Sequence, residues 1–146
     1  MMNVRILRQH EWEEAASLVW ETFLLFEAPE YGSEGVETFR KFITDSDNLR
    51  ALKIYGAFDG QRLCGVAATR KAGSHISLLF VRKEFHGRGA GRMLIERIRK
   101  DAPEGRLTVH SSPYAVGFYR RMGFEATASE QLEDGIRFIP MVWSSR

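Results

Sequence analysis

Between residues 75 and 101 an apolar run, a glycine-rich turn and an amphipathic stretch follow one another without a break. The run His75–Val81 (HISLLFV) is apolar on both faces, which suits a strand lying centrally in a sheet covered on both sides. Arg82–Phe85 links it to His86-Gly87-Arg88-Gly89-Ala90-Gly91-Arg92. A helix over Gly87–Asp101 follows, with Leu94, Ile95 and Ile98 inward and Glu96 and Lys100 paired outside. Three alternating glycines at a helix start leave backbone N–H groups without side-chain cover, and the helix dipole adds positive character there. That geometry suits a pyrophosphate, with Arg88 and Arg92 adding charge-assisted bonds. No Gly-Lys-Ser/Thr follows, so it is not a P-loop, and glycines at 87, 89 and 91 do not match the dinucleotide fingerprint. Taken alone, such a triplet also suits a tight turn whose glycines only relieve backbone strain.

The flanking segments predict a mixed α/β domain. Val4–Leu7 reads as a strand. Glu11–Glu27, with Trp12, Ala15, Ala16, Val19, Phe23 and Phe26 at helical spacing, reads as a helix ended by Pro29 and Gly32. Ser33–Asp45 predicts a second helix capped by Ser33. Lys53–Phe58 and Leu63–Thr69, joined at Asp59-Gly60, predict a hairpin, and a turn at 71–74 leads into His75–Val81. Arg106–His110 reads as a strand and Pro113–Met122 as a helix with Gly123 at its end. Glu125–Leu132 and Ile136–Trp143 close the chain as a hairpin. The order is β-α-α-β-β-β-α-β-α-β-β. No repeat, low-complexity stretch or linker interrupts it, so residues 1–146 are expected to form a single domain.

Composition narrows the function classes. Cys64 is the only cysteine, which excludes an intrachain disulfide and a thiolate metal cage and fits a reducing, cytoplasmic setting. No stretch is apolar enough to span a bilayer and the first residues lack a signal-peptide core, so no membrane association is expected. Residues 1–60 carry 6 Lys/Arg against 11 Asp/Glu, and residues 61–146 carry 15 against 8. A basic half fits an anionic ligand and an acidic half a cationic one, although solvated faces of opposite sign read the same way. The basic residues are scattered among glycines and acids, which argues against nucleic acid as a partner.

The H-G-R-G-A-G turn resembles the acetyl-CoA signature Q/R-x-x-G-x-G/A of the GNAT superfamily of N-acetyltransferases. Ser112–Phe124 (SPYAVGFYRRMGF) is similar to the same family's N-x-x-A-x-x-F-Y-x-x-x-G-F helix. Two positions depart from the pattern: His86 stands for Gln or Arg, and Ser112 for Asn. The resemblance implies a mixed, mostly antiparallel seven-stranded sheet, splayed at its central strands and flanked by about four helices. It implies acetyl-CoA as cosubstrate, no metal, and direct transfer to a primary amine of a small molecule or peptide in a ternary complex. A homodimer is compatible with it. The cofactor would contact Leu79, Phe80 and Val81 through the strand, the turn His86, Gly87, Arg88, Gly89, Ala90, Gly91 and Arg92, and Ser112, Phe118 and Tyr119.

Leu79 N–H is then expected to stabilise the oxyanion, and Tyr119 to protonate the departing thiolate. The alternative for Tyr119 is a core aromatic with its hydroxyl at the surface. His75 is a candidate base, since a free imidazole titrates at about 6.5. It reads equally well as a strand-end histidine bonded to backbone. Glu27 and Glu34 are further candidates, and a bound amine can also lose its proton to solvent. Trp20, Phe23, Glu27, Tyr31 and His75 are expected around a cationic or amine-bearing acceptor, with Arg137 and Phe138 on the closing hairpin. A non-catalytic acyl-CoA binding or sensing module on the same scaffold is the competing expectation.

Overall fold

The computed structural model describes residues 1–145. Its eight strands are β1 (Met2–Ile6), β2 (Lys53–Asp59), β3 (Arg62–Arg70), β4 (His75–Val81), β5 (Arg106–Ser111), β6 (Glu125–Ala126), β7 (Gln131–Glu133) and β8 (Ile136–Ser144). Its five α-helices are α1 (Trp12–Phe26), α2 (Ser33–Thr44), α3 (Ser46–Arg50), α4 (Ala90–Asp101) and α5 (Val116–Arg121). The strands order as β1-β2-β3-β4-β5-β8-β6, with β7 on β8. Every pairing is antiparallel except β4 with β5. Among the described residues no helix is long and apolar enough to cross a membrane.

Alternation along the strands builds a core on each face of the sheet. Tyr55, Ala67 and Ile76 face Leu94, Ile95 and Ile98 of α4 and Tyr119 of α5. Ile54 and Ala68, next to Tyr55 and Ala67, and Leu78, one residue beyond Ser77, face Leu18, Val19 and Phe23 of α1. The central strand is therefore apolar on both sides for the reason its sequence suggested.

β4 departs from its partner β5 early. The two pair only at His75↔Thr108 and Ile76↔Val109. On its other side β4 follows β3 with a register shift, since Ala68 pairs with Leu78 but Thr69 with Ile76, which leaves Ser77 as an extra residue. A bulge bends the strand that carries it. This one sits where β4 and β5 separate, and the gap beyond it is the splay the family resemblance implies.

Several elements differ from the sequence reading. Helix α4 begins at Ala90 rather than Gly87, because Gly87 (φ 74°) and Gly89 (φ 90°) are left-handed and cannot continue a right-handed helix. Gly32, not Ser33, occupies the cap of α2. Pro113–Met122 divides into a 3-10 turn at Pro113–Ala115 and α5. The single strand expected over Glu125–Leu132 is two: between the Ala126↔Met141 and Gln131↔Phe138 pairs, four residues face only Ile139 and Pro140, so the excess loops out.

Candidate active site

Two cavities open along the β4–β5 gap. The larger, about 490 Å³, lies at the glycine turn. The smaller, about 290 Å³, lies toward α1, α2 and the β7–β8 hairpin. Glu27, Leu79, Phe80 and Ala115 border both, so the two meet at these residues.

The larger cleft is built from backbone. Among the described residues, only Arg88 of the amides from Gly87 to Arg92 finds a protein acceptor, the Phe85 carbonyl at 3.3 Å. The others are left bare because Gly89 caps the helix without a side chain and the first helical amides have no intrahelical partner. Beside Gly87 and Gly89 there is open space, and a Cβ on Gly91 would come within 3.2 Å of the Phe118 ring. The glycines thus keep the amides uncovered and let α4 approach α5. Arg92 and Arg121 add positive charge to the walls. An anionic, elongated group such as a coenzyme's diphosphate fits this donor set.

His86 has a structural task here. Its Nε2 lies 2.8 Å from the Val81 carbonyl, and a carbonyl only accepts, so Nε2 carries the proton. The ring ties the turn to the end of β4 and packs against Phe26 at 4.7 Å, which in turn stacks on Tyr114 at 5.4 Å.

The smaller cavity carries the titratable groups. Glu27, directly after α1, is held by Ser112, whose Oγ is 3.1 Å from Glu27 Oε2. Burial, with a smaller push from Glu30, raises the Glu27 carboxyl to about 7 against the opposing bond from Ser112. Tyr119 is 3% exposed and borders the same cavity. Burial and then the Glu27 charge hold its phenol above the ordinary range, so it keeps its proton. His75 Nδ1 lies 2.8 Å from Thr108 Oγ1, and the Thr108 hydroxyl donates to the Ser74 carbonyl at 3.4 Å. Nδ1 is therefore the protonated nitrogen.

Several of the expected residues fall together at the two cavities. Leu79, Phe80, Val81, His86, Gly87, Gly89, Ala90, Gly91, Arg92 and Phe118 line the larger cleft, and Phe23, Tyr31, His75 and Phe138 the smaller. Others stand in different surroundings. His75 is a much weaker base than a free imidazole, because burial, then Arg70, His110 and Lys71, lower it to about 4. Ser112 and Tyr119 border the smaller cavity and not the larger cleft. The Arg88 guanidinium lies over the Phe85 ring at 4.9 Å and is not part of the cleft wall. Trp20 stacks on Phe23 at 5.7 Å and borders neither cavity. Arg137 pairs with Glu130 at 2.8 Å and does not border the cavity. Sequence reasoning missed Arg121 and Tyr114 in the cleft, and Arg70, His110, Glu133 and Asp134 in the smaller cavity. The alternation of β5 could have shown His110; nothing local marks the rest.

The family described as an acetyltransferase (GNAT) domain matches residues 27–145. The peptidyl-lysine N-acetyltransferase YjaB of Salmonella typhimurium is 36% identical over 144 residues, covering 92% of this chain and 90% of that protein. A GCN5-related N-acetyltransferase structure from Rhodopseudomonas palustris superposes with a TM-score of 0.84 at 22% identity, over 97% of this chain and 94% of that one. The PaiA N-acetyltransferase of Thermoplasma acidophilum, solved in complex with coenzyme A, gives a TM-score of 0.75 at 20% identity over 99% of both chains. The two structures agree with this one in fold, the YjaB relative and the family match carry the agreement into sequence, and the chain belongs to the GNAT family of acetyl-CoA-dependent N-acetyltransferases.

Proposed function

We propose that this protein, acting as a single domain in the cytoplasm, acetylates a primary amine in a ternary complex, with Glu27 taking the amine's proton and Tyr119 protonating the departing thiolate. The acceptor is a peptidyl lysine, as in the name of the YjaB relative, or a small amine of similar reach. The observation that carries this reading is the place of Glu27: a carboxyl titrating near neutrality, at the junction of an anion-binding cleft and a second cavity.

Acetyl-CoA supplies a thioester, whose carbonyl is the electrophile and whose thiol leaves. The bare amides from Gly89 to Arg92 hold its diphosphate. Leu79, which borders both cavities, offers its N–H to the carbonyl oxygen. Glu27 accepts a proton from the incoming ammonium. Burial is the main cause of the raised Tyr119 phenol and the Glu27 charge the smaller one; proton uptake by Glu27 removes the smaller, so Tyr119 becomes somewhat more acidic as its own proton is needed. A module that only binds acyl-CoA has no use for a buried carboxyl and phenol facing a second cavity.

The test is release of free thiol from acetyl-CoA with a panel of lysine peptides, small amines and anionic acceptors. Turnover should favour the amines. Binding of coenzyme A without thiol release on any amine would leave the binding module as the better reading.

A further inference from the structure

Ser112 stands between β5 and the 3-10 turn at Pro113–Ala115, and is 8% exposed. Its Oγ accepts a hydrogen bond from the Ala115 N–H at 3.2 Å and lies 3.1 Å from Glu27 Oε2. The amide can only donate and an ionised carboxylate can only accept. The single hydroxyl proton of Ser112 therefore goes to Glu27 Oε2. The orientation of the hydroxyl is fixed from the backbone side, by the same bond that caps the turn. Glu27 Oε1 has no protein partner among the described residues. Glu27 follows the last residue of α1, so the bond joins the helical side of the gap to the β5–α5 side. Without it, a glutamate side chain with three rotatable bonds has no polar anchor in that position.

We propose that Ser112 is a positioning residue for acetyl transfer, pinning Glu27 through Oε2 across the splayed strands so that Oε1 is the atom presented to the acceptor amine. The proposal rests on the reading of Glu27 as the base. A hydrogen bond to the ionised carboxylate favours that form, so its loss raises the carboxyl above about 7. Of the titratable groups, Glu30 acts on Glu27 in the same direction, and Tyr31 and Tyr119 face it as neutral phenols.

The experiment measures kcat and KM between pH 5.5 and 9.5 for the wild type, Ser112→Ala, Ser112→Gly, Ser112→Thr and Glu27→Gln, with one amine acceptor and saturating acetyl-CoA. Coenzyme A affinity is measured by calorimetry on each variant. Glycine is tolerated at a helix cap, so Ser112→Gly removes the hydroxyl with little cost to the turn even where Ser112→Ala folds poorly. Both hydroxyl-free variants should move the acid limb of the kcat profile upward, by on the order of half to one pH unit. They should also lower kcat at pH 7 about 10-fold, while coenzyme A affinity stays within about 2-fold. Ser112→Thr should return the limb toward its wild-type position. An acid limb that coincides with the wild type in Ser112→Gly, while Glu27→Gln abolishes it, overturns the positioning role alone. A wild-type limb in Glu27→Gln removes the base assignment itself.

Discussion

Replacing Glu27 by Gln keeps the side chain's shape and removes its charge, and the two consequences run in opposite directions. Loss of the base should lower kcat/KM at pH 8 by about 100-fold or more, within the range typical of general-base removal. Stability should rise. The carboxyl titrates near 7 in the folded protein against an ordinary 4.5, so between those values the folded state binds more protons than the unfolded one. Stability then falls as pH climbs from about 4.5 through 7. Gln is spared that loss, and Glu27→Gln should gain on the order of 2 kcal/mol over the wild type at pH 8 relative to pH 4.5, allowing for the partial exposure of the group. Denaturant titrations at the two pH values check this, and a difference independent of pH would count against the raised carboxyl. Tyr119→Phe should cost about 10- to 100-fold in kcat with coenzyme A affinity unchanged, measured by thiol release and calorimetry. Tyr119 was legible in the sequence because a Phe-Tyr pair in a recognisable helix marks it. Glu27 was one acid among eleven in the first 60 residues. What singles it out is a serine 85 positions away and the burial they share, and neither leaves a local signal. His75 was legible as a place and not as a base, since its burial in the fold, and then Arg70 and His110 acting through space, lower it.

At the scale of elements, the glycine turn works because two left-handed residues delay the start of α4 and leave its first amides open. The sequence indicated glycine's permissiveness at the turn; where α4 actually starts depends on backbone angles it does not encode. The bulge at Ser77 was not legible, since nothing in HISLLFV distinguishes a regular strand from one with an extra residue. Helix α3 was missed because Ser46–Arg50 is short and polar, and it rests on Asp45, whose carboxylate accepts the Asp47 N–H at 2.8 Å. The turn invites a paired test. Gly89 (φ 90°) and Gly60 (φ 62°) are both left-handed with open space beside them, one in the cleft and one in the β2–β3 turn. Alanine at either should destabilise by about 1–2 kcal/mol. Only Gly89→Ala should also weaken coenzyme A binding, by on the order of 10-fold, because only there do amides face the ligand. Equal coenzyme A affinities in the two variants would mean that the turn's geometry is not what holds the diphosphate.

Over the whole molecule, the acidic helical half and the closing hairpin meet to wall the smaller cavity. The β7–β8 turn is seated on α2: Thr38 Oγ1 donates to the Asp134 carbonyl at 2.8 Å, and a Cβ on Gly35 would overlap the Gly135 carbonyl oxygen. Tyr31 donates its hydroxyl proton to the Arg137 carbonyl at 3.3 Å, which adds a second tie between the α1–α2 connection and β8. This closure brings Glu133 and Asp134 to the cavity from about 100 residues beyond Tyr31 and Gly35. Two glycines in contact carry no pattern that a reader of the chain could recognise, which is why both carboxylates were missed. The seat separates the functions of the two cavities. Gly35→Ala drives the new Cβ into the Gly135 carbonyl, so the hairpin must shift, at about 1–3 kcal/mol of overpacking. For a chain of this size that lowers Tm by roughly 2–4 °C per kcal/mol. The cleft is built from β4, the glycine turn, α4, the Pro113–Ala115 turn, α5 and the end of α1, and does not include the seat. The acceptor KM should therefore rise on the order of 10-fold while coenzyme A affinity holds. Thr38→Val, which removes one hydrogen bond and leaves the glycine contact in place, should move the acceptor KM less than Gly35→Ala does. Parallel losses of acceptor and coenzyme A affinity in Gly35→Ala would show that the two cavities are not independently built, and the hairpin would then be part of the general scaffold.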